Sequence, residues 1–364
     1  MCRCFIKELR MSLSILKNTI RYLDDNVFNR RISILKRKFS RELESINLDI
    51  SGSCNLNCRM CSLKEWYSKE TKKEISDETL EKLKSVFPKI ESISLHLNCE
   101  PLLNRNVVSI IKYIKGVNPK ILLSFTTNGT LLNPSLSRQL IDSGLDKIVF
   151  SIDGSSAKTF EKIRLGANFE KVVYNLEEFI NIKKQKSSKL PEVGVIAVAF
   201  KDNVYELTKI VKFAIKLGID SISINGLEPY TKEMSKLILY DRNISEDYEE
   251  IYVNLRKIAE EGGIRIRLPS LVIQPYKFCD LRGCVIDSDG EIYPCSVLSY
   301  KRPYYYLGMK LVHPKKSFGN INEKNFYEIW NSKEYKIFRK ELLKGNFPEY
   351  CKKCLMKNGV LCPV

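Results

Sequence analysis

Three cysteines stand close together early in the chain, at Cys54, Cys58 and Cys61. They follow residues 45–51, which alternate apolar and polar side chains as a strand with one buried face does. Three thiolates can hold three irons of a four-iron cube and leave the fourth iron open to another ligand. Zinc normally takes a fourth protein ligand close by, and this loop offers none. The spacing therefore favours an iron–sulfur site over zinc or three incidental buried thiols.

A second group of cysteines lies near the end of the chain. Its six members are Cys279, Cys284, Cys295, Cys351, Cys354 and Cys362. Residues 285–293 form two short apolar runs around Ser-Asp-Gly, the pattern of a β-hairpin, which should bring its flanking cysteines together. A Cys-x-x-Cys pair combined with such a hairpin indicates a metal site. Spacing alone leaves zinc and iron–sulfur open for this group.

The composition sets limits on the kind of protein. A chain of 364 residues with 44% hydrophobic content can bury a sizeable core, in one large domain and a smaller one. No apolar run approaches the roughly 20 residues of a membrane span, and the start lacks the apolar core of a signal peptide. We therefore expect a cytoplasmic protein, in which twelve cysteines indicate metal binding or catalysis rather than disulfides. With only His96 and His313, a histidine-rich metal site is excluded.

The formal net charge is +17, which suits an anionic partner such as nucleic acid, a lipid surface or an acidic substrate. A solvated lysine-rich surface explains the same charge, and we favour that explanation. Residues 1–44 are basic, with apolar residues at helical spacing. They predict a helical extension packed on the main domain, and contact with a membrane surface stays open as the alternative.

From residue 45 to about 265, strand and helix patterns alternate, which predicts a parallel sheet. The six predicted strands are 46–51, 91–97, 121–127, 147–152, 193–200 and 219–225. The predicted helices lie near 76–87, 104–115, 134–143, 168–186, 203–217 and 245–261. Six such units give a partial (β/α)6 barrel of the TIM type, in the α/β class.

Polar residues and glycines cluster at the carboxyl ends of these strands, where α/β folds place their chemistry. The strand ends carry Cys54, the run 98–101, the run 126–129, the run 151–154, and Asn225 with Gly226. Because parallel strands end at the same edge of the sheet, these residues should converge on one mouth with the three cysteines.

These motifs resemble the radical S-adenosylmethionine (SAM) superfamily. The resemblance rests on Cys-x-x-x-Cys-x-x-Cys after the first strand, Glu-Pro after the second, Thr-Asn-Gly after the third and Ser-Ile-Asp-Gly after the fourth. Residues 160–172 resemble members that carry a C-terminal SPASM or twitch domain. The resemblance covers roughly residues 45–364. It divides the chain into an extension at 1–44, a radical SAM partial barrel at 45–268 and an auxiliary iron–sulfur domain at 269–364.

The resemblance implies that Cys54, Cys58 and Cys61 hold a [4Fe–4S] cluster whose open iron binds SAM. Reductive cleavage of SAM then gives a 5′-deoxyadenosyl radical that abstracts a hydrogen atom, with electrons from a donor such as ferredoxin or flavodoxin. The residues matched to SAM contacts are Met60, Glu100, Asn128, Ser151 and Arg164. The family usually has Gly-Gly-Glu where this chain has Asn98-Cys99-Glu100, so the backbone beside SAM should differ here. Cys99 is expected to be a buried thiol, and the alternative is that it points into the site.

In the C-terminal part, the spacing of Cys279, Gly290 and Cys295 resembles the opening of a SPASM domain. Residues 320–332 resemble the segment that leads to its last cysteines. The resemblance implies one complete auxiliary [4Fe–4S] cluster, held most simply by the set Cys279, Cys295, Cys351 and Cys354. Cys284 and Cys362 either replace two of these or help to hold a second, incomplete cluster.

An auxiliary cluster suits net oxidation or radical cross-linking of the substrate. We expect a small molecule, such as an aminoglycoside, a nucleoside or a lipid. Two alternatives remain. One is a maturase that forms thioether or carbon–carbon links in a ribosomal peptide. The other is a non-enzymatic metal-cluster protein that binds nucleic acid through its charge.

Overall fold

One nine-stranded sheet organises the residues that the structure, a computed structural model, describes. These residues are 43–62, 73–240, 245–272, 279, 281–306, 308–352 and 354. They belong to one compact unit that begins at Leu43. The predicted helical extension at 1–44 lies outside the described residues except for its last two.

The sheet continues from strand to strand in chain order over most of its width. Its strands are β1 (Ser45–Leu48), β2 (Ser92–Ser94), β3 (Leu122–Thr127), β4 (Lys147–Ser151), β5 (Glu192–Ala199), β6 (Ser221–Gly226), β7 (Arg265–Arg267), β8 (Gly283–Ile286) and β9 (Ile292–Tyr293). Their order across the sheet is β7-β6-β5-β4-β3-β2-β1-β8-β9. All neighbours are parallel except β8 and β9. The α/β class and the six-strand partial barrel are confirmed.

Helices connect these strands, as parallel neighbours require. They are α1 (Asp77–Leu83), α2 (Val107–Val117), α3 (Pro134–Ile141), α4 (Ala157–Ile163), α5 (Phe169–Gln185), α6 (Leu207–Leu217), α7 (Glu246–Glu261), α8 (Phe326–Trp330), α9 (Lys333–Leu343) and α10 (Glu349–Lys352). The side chains of Ser76 and Asn133 cap α1 and α3 by accepting backbone N–H bonds, at 3.1 and 2.9 Å. Gly218 ends α6 with φ +73°, a conformation that glycine adopts without strain.

The predicted hairpin around Ser-Asp-Gly forms from β8 and β9. Strand β8 also pairs in parallel with β1, so the C-terminal segment extends the main sheet rather than forming a separate one. A second hairpin, β10 (Arg302–Tyr306) and β11 (Met309–His313), stands as its own two-stranded sheet. The two cysteine-bearing parts of the chain therefore share a sheet and a core.

The core lies between the sheet and its helices. Strands β3, β4 and β5 each bury alternate or consecutive apolar side chains, and α5 buries Val172, Leu176 and Phe179 on one face. These spacings are the ones that parallel strands and amphipathic helices require. Strand β7 and helix α4 are additions that the sequence patterns did not predict. Within the described ranges, no helix is long and apolar enough to cross a membrane.

Candidate active site

A cleft of about 300 Å³ opens at the carboxyl ends of the parallel strands. The predicted site residues that line it are Cys54, Cys58, Cys61, Met60, Glu100, Asn128, Ser151 and Arg164. They come from the loop after β1, the ends of β2, β3 and β4, and the end of α4. The structure thus brings together every residue that the sequence assigned to the first cluster and to SAM.

The loop that carries the three cysteines is held against the end of α4. The backbone N–H groups of Asn57 and Arg59 donate to the carbonyls of Leu165 and Ile163, each at 2.9 Å. Gly52, which begins the loop, has φ +61°, and a Cβ there would lie 2.4 Å from the carbonyl oxygen of Lys73. Only glycine fits this turn, so the direction in which the loop leaves β1 is fixed.

Two nitrogen donors approach the thiols of this loop. Asn128 Nδ2 lies 3.9 Å from Cys54 Sγ, and Arg164 Nη1 lies 4.0 Å from Cys58 Sγ. Burial raises the pKa of the Cys58 thiol to about 12, while the nearby Arg164 charge acts in the opposite direction. N–H donors beside sulfur suit a thiolate-ligated iron–sulfur cluster, whose sulfurs are electron-rich. Three thiols on one loop, with two N–H donors beside them, fit a cluster with an open iron, and the fourth cleft thiol, Cys99, donates to Asp49 instead.

Arg164 is held by a buried ion pair. Its Nε lies 2.6 Å from Oδ2 of Asp153, without the alignment of a good hydrogen bond, so the contact is chiefly a charge interaction. The Asp153 side chain is 0% exposed, and its Oδ1 accepts a hydrogen bond from the backbone N–H of Val198 at 2.7 Å. Asp153 therefore ties the end of β4 to β5 and orients Arg164 toward Cys58.

Glu100 joins the ends of two strands. Its carboxylate accepts hydrogen bonds from Thr127 Oγ1 and the backbone N–H of Asn128, both at 2.7 Å, and from the N–H of Leu102 at 3.1 Å. Burial raises the pKa of Glu100, and the bonds it accepts act in the opposite direction. Glu100 thus orders the segment that carries Asn128, in addition to lining the cleft.

The residues that depart from the family pattern also line the cleft. Cys99 is buried, as predicted, and its thiol donates to Asp49 Oδ2 at 3.3 Å. Asp49 in turn accepts from the backbone N–H groups of Ser51 and Gly52, each at 3.2 Å. Cys99 therefore braces the start of the cysteine loop from the β2 side.

Sequence reasoning gave no site role to two further cleft residues, His96 and Tyr230. His96 Nδ1 accepts from the backbone N–H of Thr126 at 3.2 Å, and burial lowers the pKa of the ring to about 4. The ring is therefore neutral near pH 7 and presents its Nε2–H as a donor. A single histidine in a strand pattern is no motif, so no sequence signal could have found it.

The C-terminal cysteines divide into two environments. Burial raises the pKa of the Cys295 thiol to about 12, and charges on Cys354 and Cys279 would raise it further, which places these three near one another. The backbone N–H of Cys354 donates to the carbonyl of Cys351 at 3.0 Å, a tight turn at the end of α10. These four are the predicted auxiliary ligands, and that assignment stays a prediction.

Cys284 lies apart, buried in the hydrophobic core on β8, where burial raises the pKa of its thiol. The charged neighbour that acts on it is Arg339 rather than another cysteine. Its predicted role as a replacement ligand gains no support from this position. Cys362, the other replacement, lies outside the described residues.

In the described part of the chain, no three histidine, cysteine or acidic side chains stand close enough to hold one metal ion. A four-iron cluster spreads its thiolates over separate irons, so its sulfurs stand farther apart than the ligands of a single ion. None of the nine described cysteines forms a disulfide.

Comparison with protein families matches the two parts of the chain to two models. The radical SAM superfamily model matches residues 48–213, and the iron–sulfur cluster-binding SPASM domain matches residues 278–355. These two matches confirm the predicted resemblance to radical SAM proteins that carry a C-terminal SPASM domain. A radical SAM domain followed by a SPASM domain carries [4Fe–4S] clusters and binds SAM, which confirms these predicted cofactors. The domain boundaries and the individual ligands stay predictions.

Two radical SAM relatives span nearly the same length as this chain. The tungsten-containing aldehyde ferredoxin oxidoreductase cofactor-modifying protein of Pyrococcus furiosus is 28% identical over 87% of this chain and 88% of its own. The AdoMet-dependent heme synthase of Methanosarcina barkeri is 26% identical over 84% of this chain and 88% of its own.

Solved structures share the fold. Streptococcus suis SuiB bound to S-adenosylmethionine superposes with a TM-score of 0.60 at 16% identity, over 86% of this chain and 72% of SuiB. The structure of anSMEcpe with bound AdoMet gives a TM-score of 0.59 at 22% identity, over 87% of each chain. The predicted architecture is therefore that of known SAM-bound proteins.

Proposed function

We propose that this protein reductively cleaves SAM and directs the resulting radical to a hydrogen atom of its substrate. The observation that carries the proposal is the single cleft, in which three cysteines and five matched residues face one another. When bound there, a [4Fe–4S] cluster and SAM would supply a 5′-deoxyadenosyl radical on one-electron reduction by a donor such as ferredoxin or flavodoxin.

Different residues of the cleft would bind the irons of the cluster and stabilise its sulfurs. Cys54, Cys58 and Cys61 would hold three irons and leave the fourth for the amino and carboxylate groups of SAM. Asn128 and Arg164, which approach the sulfurs, would stabilise their negative charge. These contacts orient the cofactors and keep the site dry, and the cofactors do the chemistry.

Around the cluster, Met60 packs with Phe200 and Leu227 in an apolar patch, which suits the adenine of SAM. Ser151 lies at the end of β4 in the cleft, where its hydroxyl would contact SAM. Neutral His96, which also lines the cleft, would donate a hydrogen bond to a ligand bound there.

We further propose that the C-terminal domain holds one auxiliary cluster on Cys279, Cys295, Cys351 and Cys354. Such a cluster would accept an electron from a substrate radical, or bind the substrate directly, which suits net oxidation or cross-linking. Cysteines that form metal sites rather than disulfides fit the reducing cytoplasm that we propose as its location.

For the substrate we favour a small molecule. Support comes from two relatives that match over most of their length, since the name of one concerns a cofactor and that of the other heme. A second candidate is a peptide, because the structure of SuiB bound to its precursor peptide SuiA superposes on 92% of this chain with a TM-score of 0.60, although at 17% identity. Deuterium transfer from labelled candidates into 5′-deoxyadenosine would distinguish the two classes.

The test of the central proposal is anaerobic reconstitution with iron and sulfide, followed by SAM and a strong reductant. The wild-type chain should bind roughly eight irons, from two four-iron clusters, and form 5′-deoxyadenosine. Changing Cys54, Cys58 and Cys61 together to alanine should abolish that product. A control with Cys2→Ala and Cys4→Ala removes thiols outside both groups and should keep it. Cleavage of SAM by the triple variant would refute the proposal, and salt-dependent nucleic-acid binding without any cleavage would favour the non-enzymatic alternative.

A further inference from the structure

Arg302 joins the two cysteine-bearing parts of the chain through one side chain. Its Nη1 donates to Ser62 Oγ at 3.1 Å, and its Nη2 donates to the backbone carbonyl of Ser296 at 3.4 Å. Ser62 directly follows Cys61, and Ser296 directly follows Cys295. The guanidinium therefore spans from the loop of the first cysteine group to the loop of the second.

This guanidinium is buried without a carboxylate partner. Arg302 is 3% exposed, and no carboxylate oxygen of the described residues lies within 4.0 Å of it. The rings of Tyr230, Tyr304 and Tyr300 surround it, with their centroids 5.2, 5.4 and 5.9 Å from Cζ. Aromatic rings attract a cation but do not neutralise its charge.

A buried cation needs an anion to offset the loss of hydration. The nearby carboxylate of Glu228 accepts a hydrogen bond from the Tyr230 hydroxyl rather than from Arg302. A thiolate-ligated iron–sulfur cluster is itself anionic, and it becomes more so when it takes up an electron. Two such clusters beside Arg302 would add negative charge to that of Glu228, which acts on the guanidinium without contacting it.

An anionic substrate group is the other candidate counterion, and the geometry disfavours it. Both outer nitrogens of Arg302 already donate to the protein, and the side chain does not line the cleft, from which Ser62 and Tyr230 separate it.

We propose that Arg302 is a positioning residue shared by the two clusters: it holds their loops together and its charge favours the reduced state of each. This rests on the ligand sets given under the proposed function. Each reduction adds one electron to a cluster and moves no proton. In the test, dithionite is the reductant.

The experiment is an anaerobic redox titration followed by EPR, done on each cluster separately. The first cluster is measured in a Cys351→Ala/Cys354→Ala background, and the auxiliary cluster in a Cys54→Ala/Cys58→Ala/Cys61→Ala background. Arg302→Gln should lower the ratio of reduced to oxidised cluster at a fixed potential about tenfold, the effect of a unit charge ~12 Å away at an effective dielectric constant near 20. For a one-electron couple that is a shift of about 59 mV to more negative potential.

Three further variants separate charge from packing. Arg302→Lys keeps the charge. For both clusters, the ratio of reduced to oxidised cluster at a fixed potential should therefore stay within about threefold of the wild-type ratio. Arg339, whose Cζ lies 3.8 Å from the Trp330 ring centroid, is a half-buried arginine that also lies over aromatic rings, and Arg339→Gln should leave the first cluster unshifted. Glu228→Gln removes a neighbouring negative charge and should shift both clusters to less negative potential. That variant tests the electrostatics even when Arg302→Gln does not fold.

Unchanged potentials in folded Arg302→Gln would overturn the inference, as would unchanged potentials in Glu228→Gln. A raised substrate KM with unchanged potentials would do the same, and would assign Arg302 to an anionic substrate group. A shift of the first cluster in Arg339→Gln equal to that in Arg302→Gln would also refute it. These results leave the proposed function standing. Absence of four-iron signals in the wild-type chain would instead overturn the proposed function, and the inference with it.

Discussion

Replacing Asp153 with asparagine would measure what the buried ion pair beside the first cysteine group contributes. Asparagine has nearly the same shape and can still accept the bond from the Val198 N–H. In the wild-type protein, the Asp153 carboxylate lies 2.6 Å from Arg164, and the neutral asparagine side chain leaves Arg164 without this partner. The perturbation therefore removes one charge while keeping the packing.

The size of the effect follows from burial and distance. Two unit charges whose centres are ~4 Å apart interact by about 4 kcal/mol at an effective dielectric constant near 20. Asp153 is 0% exposed and Arg164 only 9% exposed, so solvent screens the pair little. Removing one partner of a buried pair is expected to lower the free energy of unfolding by about 3–5 kcal/mol. Both estimates agree, and we expect about 4 kcal/mol in the iron-free protein.

The assay is anaerobic denaturant unfolding of the wild type, Asp153→Asn, Arg164→Gln and the double variant. The double variant should be more stable than the sum of the single losses predicts, because neither charge is then stranded. In the iron-loaded protein the loss for Asp153→Asn should be smaller. Arg164 Nη1 lies 4.0 Å from Cys58 Sγ, so a cluster on Cys58 offers it a second anion.

Two results would refute this reasoning. A loss below about 1 kcal/mol for Asp153→Asn would show that the contact behaves like a solvent-screened pair. Strictly additive losses in the double variant would show that Asp153 and Arg164 act independently. Equal losses with and without iron would contradict only the second anion at Cys58.

Three other changes test separate parts of the structure. Changing Cys351 and Cys354 to alanine should lower bound iron by about half yet spare SAM cleavage without substrate, and loss of cleavage in folded protein would show that the two sites are divided wrongly. Glu100→Gln should lower the free energy of unfolding by about 1–3 kcal/mol, since an amide cannot accept all three of its bonds, and an unchanged thermal midpoint would contradict this. Burial lowers the pKa of His313 from 6.5 to about 4, so the unfolded chain gains a proton on acidification before the folded chain does. The free energy of unfolding should thus be highest above about pH 6.5 and should fall by ~2 kcal/mol on acidification from pH 7.5 to pH 5. In urea unfolding, the His313→Phe variant should show a correspondingly smaller decrease over the same pH range.

The six central strands could be predicted because each buries apolar residues at strand spacing between loops rich in glycine, proline or asparagine. Strand β7 could not, because Arg265-Ile266-Arg267 has a single apolar residue and forms only by pairing with β6. The hairpin was visible in the sequence, but its parallel pairing with β1 joins residues far apart in the chain. Such contacts depend on the whole fold rather than on local pattern.

Some residues of the candidate site could likewise be predicted from the sequence, and others could not. Strand-end positions identified Cys54, Glu100, Asn128 and Ser151, because the carboxyl edge of a parallel sheet gathers whatever follows its strands. Arg302 contacts Ser62 across 240 residues of chain, and neither residue belongs to a motif. Local spacing can reveal ligands on one loop, but not the single side chain that connects two loops.

Two of the positive charges of the chain lie on buried arginines, Arg164 and Arg302. A formal charge of +17 counts the side chains without any cluster, and a solvated lysine-rich surface is the explanation that the sequence favours for it. Arg164 and Arg302, however, are buried at 9% and 3% exposure beside cysteine loops, where water cannot screen them. Only Arg164 has a carboxylate partner, so cluster assembly should relieve a larger electrostatic penalty at Arg302. Because that relief would exist only in the folded state, we expect iron binding and folding to be coupled at the contact between the two parts of the chain.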